Sequence, residues 1–113
     1  MSSGPTAAFF EALAQREYDP LLANAVGTAR FEIVDGGRTE RWLVTIDKGR
    51  IGVSRKNGRA ETIVRVDRKT FDKARRGRLN AFAAVLRGEI VISGDPRFLV
   101  QLQRLIPRPS GGP

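Results

Sequence analysis

Residues 77–95 read Gly-Arg-Leu-Asn-Ala-Phe-Ala-Ala-Val-Leu-Arg-Gly-Glu-Ile-Val-Ile-Ser-Gly-Asp, and they carry the clearest structural signals in the chain. Asn80 can cap a helix whose apolar side chains, including Phe82, fall on one face, and Gly88 follows the end of that helix. Residues 89–93 then contain three consecutive branched apolar residues, which are typical of a short strand. The segment therefore predicts a helix followed directly by a strand.

Two further helices are predicted on either side of this segment. Asp67 can cap a helix that ends before Gly77. On the other side, Asp95 and Pro96 form a capped helix start, and residues 98–106 carry a broad apolar stripe. The proline that follows this stripe ends the predicted helix.

The middle of the chain alternates apolar and polar residues with a period of two, which is the pattern of half-buried strands. Glycine and asparagine in the intervening segments can adopt the positive φ angles of tight hairpin turns. Apolar side chains should therefore line one face of each strand, and consecutive strands should pair antiparallel. The predicted strands comprise residues 28–33, 41–46, 51–53 and 61–66.

The N-terminal part of the chain predicts two helices. Residues 6–17 carry apolar residues, Phe10 among them, at one-face spacing. Asp19 and Pro20 then supply a cap and a first-turn proline for a second short helix that Gly27 can terminate. Because the last strand lies between helices, it must rejoin the sheet through a longer connection. The sequence thus predicts an α+β fold in which one mostly antiparallel sheet is covered on one face by helices.

Composition narrows the classes of function. The chain has 113 residues, enough for one domain with a single core. Its longest uninterrupted apolar run, Ala81 to Leu86, is far below the ~20 residues that a membrane-spanning helix needs. We expect a cytoplasmic protein. Cysteine and histidine are both absent, which excludes disulfides and thiolate or imidazole metal ligands. Catalysis would have to rest on carboxylates, hydroxyls, lysine or arginine, and we expect no cofactor.

The formal net charge is +8 and is concentrated in the second half of the chain, where residues 57–113 hold 12 basic and 5 acidic side chains. Residues 65–78 alone contain seven Lys or Arg residues and two acids. This run is compatible with a solvated helix face, with docking to an anionic membrane, or with nucleic-acid binding. Nucleic-acid binding is the least favoured, because aromatic residues are not interleaved with the basic ones as stacking platforms would be.

Other motifs offer little chemistry. Gly49 and Gly52 match the spacing of a GxxG backbone clamp, but they lie between predicted strands rather than helices, which favours a hairpin turn. No phosphate-binding GxxxxGK[ST] loop occurs in the sequence. Asp67 and Asp72 are more simply explained as a helix cap and a solvated partner of nearby basic residues than as an acid–base pair. We therefore predict a protein that is not an enzyme and assign no catalytic residue.

Residues 77–95, together with Trp42, the turn at 47–49 and the strand at 62–67, resemble the sterol-carrier-protein (SCP-2-like) lipid-binding domain. In that family the second half carries a glycine, a helix with an alanine and a phenylalanine, and a second glycine. A short strand, a Gly-Asp or Gly-Asn step and a leucine-rich last helix follow. Each feature has a match here, and the order of elements also agrees. The resemblance covers about residues 8–106.

This resemblance implies a five-stranded sheet covered by helices, with an apolar cavity between them. Such a cavity takes a fatty acid, a fatty acyl-CoA, a sterol or a phospholipid. We expect a single lipid-binding domain of this kind over residues 6–107, with flexible ends at 1–5 and 108–113. We expect an apolar lipid as partner and transient contact with an anionic membrane surface.

The predicted cavity wall combines inward side chains of the sheet with the apolar faces of the C-terminal helices. A carboxylate or phosphate head group would need a charged donor at the cavity mouth, for which Arg75, Arg76 and Arg78 are nearest by sequence. The predicted wall residues are Trp42, Val44, Phe71, Phe82, Leu86, Ile90, Ile92, Phe98, Leu102 and Ile106.

Two other functions stay open at the level of sequence. Apolar periodicity alone does not distinguish a hollow interior from a close-packed one, so a structural or partner-binding domain with a filled core is an alternative. A basic nucleic-acid-binding module is the other. The oligomeric state is not predicted.

Overall fold

The computed structural model describes residues 4–56, 58–95 and 97. The helices and strands follow one another in the order that the sequence predicts. Three strands follow the first helix, and two helices separate the fourth strand from the fifth. The elements are α1 (Pro5–Arg16), a 3-10 turn (Pro20–Leu22), β1 (Val26–Asp35), β2 (Arg38–Asp47), β3 (Arg50–Ser54), β4 (Thr62–Asp67), α2 (Arg68–Arg75), α3 (Ala81–Leu86) and β5 (Ile90–Gly94).

The five strands form one sheet in the order β3-β2-β1-β4-β5. β1 pairs antiparallel with β2, β2 with β3, and β4 with β5, whereas β1 and β4 are parallel. The two hairpins turn at Gly36 and Gly49, which have φ angles of 61° and 91°. A positive φ angle suits glycine because it has no Cβ. The predicted α+β class and the mostly antiparallel five-stranded sheet are confirmed.

The parallel pair arises because the chain crosses from the β3 edge to the far side of β1. The connection passes over the sheet face that points away from the helices. There the Gly58 carbonyl accepts a hydrogen bond from Arg30 Nη1 at 3.0 Å. A Cβ placed on Gly58 would lie 3.2 Å from Leu43 Cδ2. This connection therefore covers part of the outer face of β1 and β2.

Strict alternation of burial along the strands divides the sheet into two faces. In β1, Ala29, Phe31 and Ile33 are buried, whereas Arg30 and Glu32 between them are only partly buried. Since successive side chains point to opposite faces, one face carries the core under the helices. We call it the covered face. Its buried residues are Ala29, Phe31, Ile33, Trp42, Val44, Ile46, Ile51, Thr62, Val64, Val66 and Ile90.

The predicted second helix is shorter than expected. Asp19 Oδ1 accepts the Leu21 N–H at 2.9 Å, as a cap should, but the turn ends at Leu22. Gly27 does not terminate a helix, because it lies within β1 and pairs with Ile46. These residues adopt a strand rather than a longer helix because the strand forms ladder hydrogen bonds with β2, which a helix would leave unmade.

The predicted caps of α2 and α3 are confirmed. Asp67 Oδ1 accepts the Thr70 N–H at 2.7 Å, and Asn80 Oδ1 accepts the Ala83 N–H at 3.1 Å. Gly77 lies just beyond α2 with a φ angle of 71°. These caps fix the first turn of each of the two helices between β4 and β5.

The predicted last helix falls almost wholly outside the described residues. At its expected start, Asp95 Oδ1 accepts the Arg97 N–H at 2.9 Å, as a capping carboxylate does. The flexible ends predicted for residues 1–5 and 108–113 stay predictions. Within the described part of the chain, no helix has the length and hydropathy needed to cross a membrane.

Candidate functional site

The covered face contains a cluster of five aromatic side chains near α1 and α2. The Phe10 ring stacks on Trp42 with centroids 4.9 Å apart and on Phe71 at 5.7 Å. Phe31 lies 5.3 Å from Phe10, and Phe9 packs edge-on against Phe10 and Phe71. We call these five residues the aromatic cluster. Ring contacts of this kind add about 0.5–1.5 kcal/mol each beyond area burial, so this part of the interior is well packed.

Trp42 is also held at its polar edge. Its indole Nε1–H donates to Glu40 Oε2 at 2.8 Å, so the buried ring leaves no unsatisfied donor. The Arg55 guanidinium carbon lies 4.5 Å from the centroid of the ring, within the range of a cation–π contact. Trp42 is therefore fixed in place by one helix and by neighbouring groups of the sheet.

Away from the aromatic cluster, the covered face continues under α3 and beside β5. Ala84 and Ile90 are buried there. Ala81, Val85 and Ile92 are only partly buried and pack against the core. We call these five residues the α3–β5 region. It consists of aliphatic side chains without an aromatic ring, and it is less enclosed than the aromatic cluster, because three of its five side chains are only partly buried.

Two predicted wall residues on α3 are not enclosed in the described structure. Phe82 is 49% exposed and Leu86 is 84% exposed. They are four residues apart and so share one side of the helix. Ala81, Ala84 and Val85 face the core instead. The helical period is compatible with either the Phe82 side or the alanine side of α3 facing the sheet. In the folded chain the alanine side packs against the core.

The structure brings together most of the other predicted wall residues. Trp42, Val44, Phe71 and Ile90 are buried in one core, and Ile92 packs against it. The predicted wall omits Phe10, which contacts both Trp42 and Phe71. The one-face spacing of apolar residues in α1 could have indicated that Phe10 faces the core. The predicted wall residues outside the described part of the chain are Phe98, Leu102 and Ile106.

The predicted head-group arginines have different surroundings. Arg75 Nε donates to Asp72 Oδ1 at 2.9 Å, and the Arg75 side chain is only 18% exposed. Arg76 and Arg78 are exposed and form no ion pair within the described residues. The two arginines beyond α2 are therefore available to an anion, whereas Arg75 already has a partner.

The opposite face of the sheet is polar and carries an ionic network around Glu32. The Glu32 carboxylate accepts from Arg65 Nη1 at 3.0 Å and from Arg30 Nε at 3.2 Å, and Arg41 Nε lies 3.6 Å away. Burial alone would raise the pKa of Glu32, but the hydrogen bonds from Arg65 and Arg30 outweigh it and hold that pKa below its ordinary value. The centre of this face is therefore occupied by paired charges.

The described residues form no grouping suited to metal binding, that is, no three or more acidic side chains in one place. Asp67 accepts both the side-chain and the backbone hydrogen bond of Thr70, which lowers the pKa of its carboxyl. An ionised cap of this kind cannot act as a general acid near neutral pH. Asp67 and Asp72 therefore have the structural roles that the sequence predicted.

Comparison with known proteins gives a family match over nearly the whole chain. A family model described as the SCP-2 sterol transfer family matches residues 8–107. No curated protein matches the chain in a direct sequence search.

Several solved structures share the fold at low sequence identity. Sterol Carrier Protein 2 from Yarrowia lipolytica, in its apo form, has a TM-score of 0.72 and 19% identity, and the match covers 93% of this chain and 92% of that one. Sterol Carrier Protein-2 from Aedes aegypti, in complex with the C16 fatty acid palmitate, has a TM-score of 0.70 and 19% identity, with 91% and 94% covered.

The same fold also occurs inside a larger protein. The sec-alkylsulfatase Pisa1 from Pseudomonas sp. has a TM-score of 0.72 and 20% identity to this chain. The match covers 92% of this chain, which spans only 16% of the length of the sulfatase.

Proposed function

Because this chain belongs to the SCP-2 sterol transfer family, we propose that it binds one apolar lipid between the sheet and its helices, and that it does so without catalysis. The ligand class is a fatty acid, a fatty acyl-CoA, a sterol or a phospholipid. The observation that supports this most directly is the apolar covered face of the sheet. The chain also shares its fold with a sterol carrier protein in complex with palmitate.

The driving force would be removal of the lipid chain from water. Each methylene contributes roughly 0.8 kcal/mol, so a sixteen-carbon chain has a gross drive of about 12 kcal/mol. Association and ordering oppose this by several kcal/mol, and the remainder suffices for micromolar binding. No polar contact deep in the interior is needed for affinity.

We place the lipid in the α3–β5 region rather than in the aromatic cluster. The rings of Phe10, Trp42 and Phe71 already contact each other at 4.9–5.7 Å, which leaves no room for an alkyl chain between them. Val85 and Ile92 are only partly buried and have aliphatic surface left to cover. The aromatic cluster would therefore close one end of the ligand site.

The test uses the full chain as purified. Native mass spectrometry, followed by lipid extraction, would show whether a ligand is retained. Delipidated protein would then be titrated with palmitate, palmitoyl-CoA, cholesterol and phosphatidylcholine. We expect one lipid per chain for at least one of these probes, and no binding of butyrate, whose short chain buries too few methylenes. Protein that stays empty with all four probes would contradict the proposal.

A further inference from the structure

α3 presents two large apolar side chains to solvent. Leu86, at 84%, is the most exposed large apolar residue in the described part of the chain, and Phe82 is half exposed on the same side of the helix. Large apolar side chains that adjoin each other on a surface mark a contact with another molecule more often than isolated ones do. The covered face does not use these two residues, because α3 packs through its alanines and Val85.

Basic residues precede this apolar pair along the chain. Arg76 and Arg78 lie in the connection between α2 and α3, and Lys69 and Lys73 lie on α2. All four are exposed, and none forms an ion pair within the described residues. Arg78 lies two residues before Asn80, the cap of α3, so its positive charge is close to the first turn of that helix.

The acidic residues near this surface are already engaged. Asp72 accepts from Arg75 Nε at 2.9 Å, and Glu89 accepts from Arg87 at 3.0 Å. Residues 68–89 contain seven basic and two acidic side chains. The surface therefore keeps an excess positive charge after its internal ion pairs are counted.

We propose that Phe82, Leu86, Lys73, Arg76 and Arg78, here called the α3 surface, dock the protein on anionic lipid bilayers. Lys73, Arg76 and Arg78 approach the head-group phosphates and carboxylates, while the side chains of Phe82 and Leu86 enter the boundary between head groups and acyl chains. This proposal rests on the proposed function, because a lipid carrier must reach the membranes that supply and receive its ligand.

A bilayer fits this surface better than a protein or a nucleic acid does. Two side chains on a helix of six residues are too few for a stable protein interface, which buries about 800 Å² on each partner. Nucleic acid would use the basic residues but would leave Leu86 in water, because stacking needs an aromatic ring. Only an anionic bilayer offers both negative charge and an apolar layer within one side-chain length.

Vesicle co-sedimentation of the full chain tests the electrostatic part. We expect binding to phosphatidylcholine vesicles that contain about 30% phosphatidylserine, weak binding to pure phosphatidylcholine, and loss of binding at high salt. Each basic residue near an anionic surface contributes about fivefold to partitioning, so the double variant Arg76→Gln, Arg78→Gln should bind about 30-fold more weakly.

A matched control removes the same charge from the opposite side of the sheet. Lys56→Gln, Arg59→Gln lies in the connection that crosses the outer face, where both side chains are exposed. It should lose much less binding than the α3-surface variant. Equal losses in the two variants would show that only the net charge matters and would overturn the proposal. Thermal melts of both variants would verify that they are folded.

The apolar part is tested with a single introduced thiol, because the chain contains no cysteine. Leu86→Cys would carry an environment-sensitive nitrobenzoxadiazole label, and Leu21→Cys, at a 60% exposed site, would carry the same label as control. On anionic vesicles the emission from position 86 should shift to the blue and gain intensity, whereas that from position 21 should not change.

Three outcomes would overturn docking through this surface. The label at position 86 could be shielded before vesicles are added, which would mean that another part of the chain or a second copy covers it. Both labels could respond equally. The protein could fail to bind vesicles but retain duplex DNA or RNA.

Palmitate binding by the unmodified protein is measured separately, in buffer without vesicles. Palmitate binding without vesicle binding would overturn the docking proposal alone. Vesicle binding without binding of any lipid ligand would overturn the proposed function alone.

Discussion

Gly94 shows how one residue can fix the position of a strand. Its φ angle is +92°, and a Cβ placed on it would lie 2.0 Å from the Glu61 carbonyl oxygen. That carbonyl also accepts the Asp95 N–H at 2.9 Å. The Thr62 hydroxyl, buried at the start of β4, donates to the Asp95 carbonyl at 2.8 Å. The end of β5 can therefore lie this close to β4 only because Gly94 has no side chain.

We predict that Gly94→Ala lowers the free energy of unfolding by about 2–4 kcal/mol. A left-handed backbone costs about 1–2 kcal/mol in a residue with a Cβ, and the contact with the Glu61 carbonyl adds strain that backbone movement must relieve. Chemical denaturation would measure the loss. Gly37→Ala is the control, since a Cβ there meets nothing within 4 Å and its φ angle is not positive. Equal stability of the two variants would contradict this account.

At the scale of single residues, the sequence indicated backbone geometry better than it indicated exposure. Gly77 and Gly88 were placed at helix ends, and Gly94 belongs to the Gly-Asp step after the predicted last strand. All three have positive φ angles, between 71° and 92°. Phe82 and Leu86 were expected in the cavity wall but lie exposed. In a helix of six residues, an apolar pair and an alanine-rich face differ by about one residue of rotation, and only packing decides between them.

At the scale of elements, the outer face of the sheet depends on one carboxylate shared by three strands. Glu32 on β1 lies opposite Arg41 of β2 and Arg65 of β4 in the strand registers. Its side chain is only 13% exposed, so its contacts with the arginines are less screened than surface ion pairs. Cross-strand pairs of opposite charge stabilise a sheet, and the central strand concentrates them here.

We predict that Glu32→Gln lowers the free energy of unfolding at neutral pH by about 2 kcal/mol, since it removes charge-assisted hydrogen bonds and leaves the arginines facing each other. Because the folded-state pKa of Glu32 is lowered, its contribution is present above the ordinary glutamate pKa and is lost as pH falls through the folded value.

The pH dependence offers an independent measurement of the same effect. The difference in unfolding free energy between the unmodified protein and Glu32→Gln should shrink as the pH falls below about 4.5. Glu11→Gln, an exposed change on α1, is the control and should leave stability within about 0.5 kcal/mol. A difference for Glu32→Gln that stays constant down to pH 2.5 would exclude the ionised carboxylate as its cause.

The strands were predictable from sequence because period-two alternation is enforced along the whole sheet. In β1, β2 and β4 the predicted inward residues are the buried ones. The parallel placement of β4 beside β1 was not predictable from sequence, because it depends on a connection that crosses two strands and not on any local pattern. The same limit explains the second helix, where local capping signals at Asp19 and Pro20 yielded to strand pairing from Val26 onward.

At the scale of the whole molecule, the interior has two parts of different character. The aromatic cluster lies between α1, α2 and the first two strands, whereas the α3–β5 region has aliphatic side chains and is less enclosed. Sequence could not separate the two parts, because inward apolar residues have the same period whether they meet one another or a ligand. The distinction between a filled and a hollow interior is one of volume, which packing alone determines.

Two isoleucines of the covered face allow this distinction to be measured. Ile46 and Ile90 are both buried, but Ile46 pairs with Ile51 at the β3 side of the sheet, whereas Ile90 belongs to the α3–β5 region. We predict that Ile46→Trp lowers the free energy of unfolding by about 3 kcal/mol, because a close-packed core cannot accept the larger ring. Ile90→Trp should cost less than about 1 kcal/mol in the ligand-free protein and weaken palmitate binding at least tenfold, because the indole occupies space that the acyl chain would fill. Chemical denaturation and palmitate titration of both variants supply the two readouts, and an Ile90→Trp variant as destabilised as Ile46→Trp would mean that the interior is filled throughout.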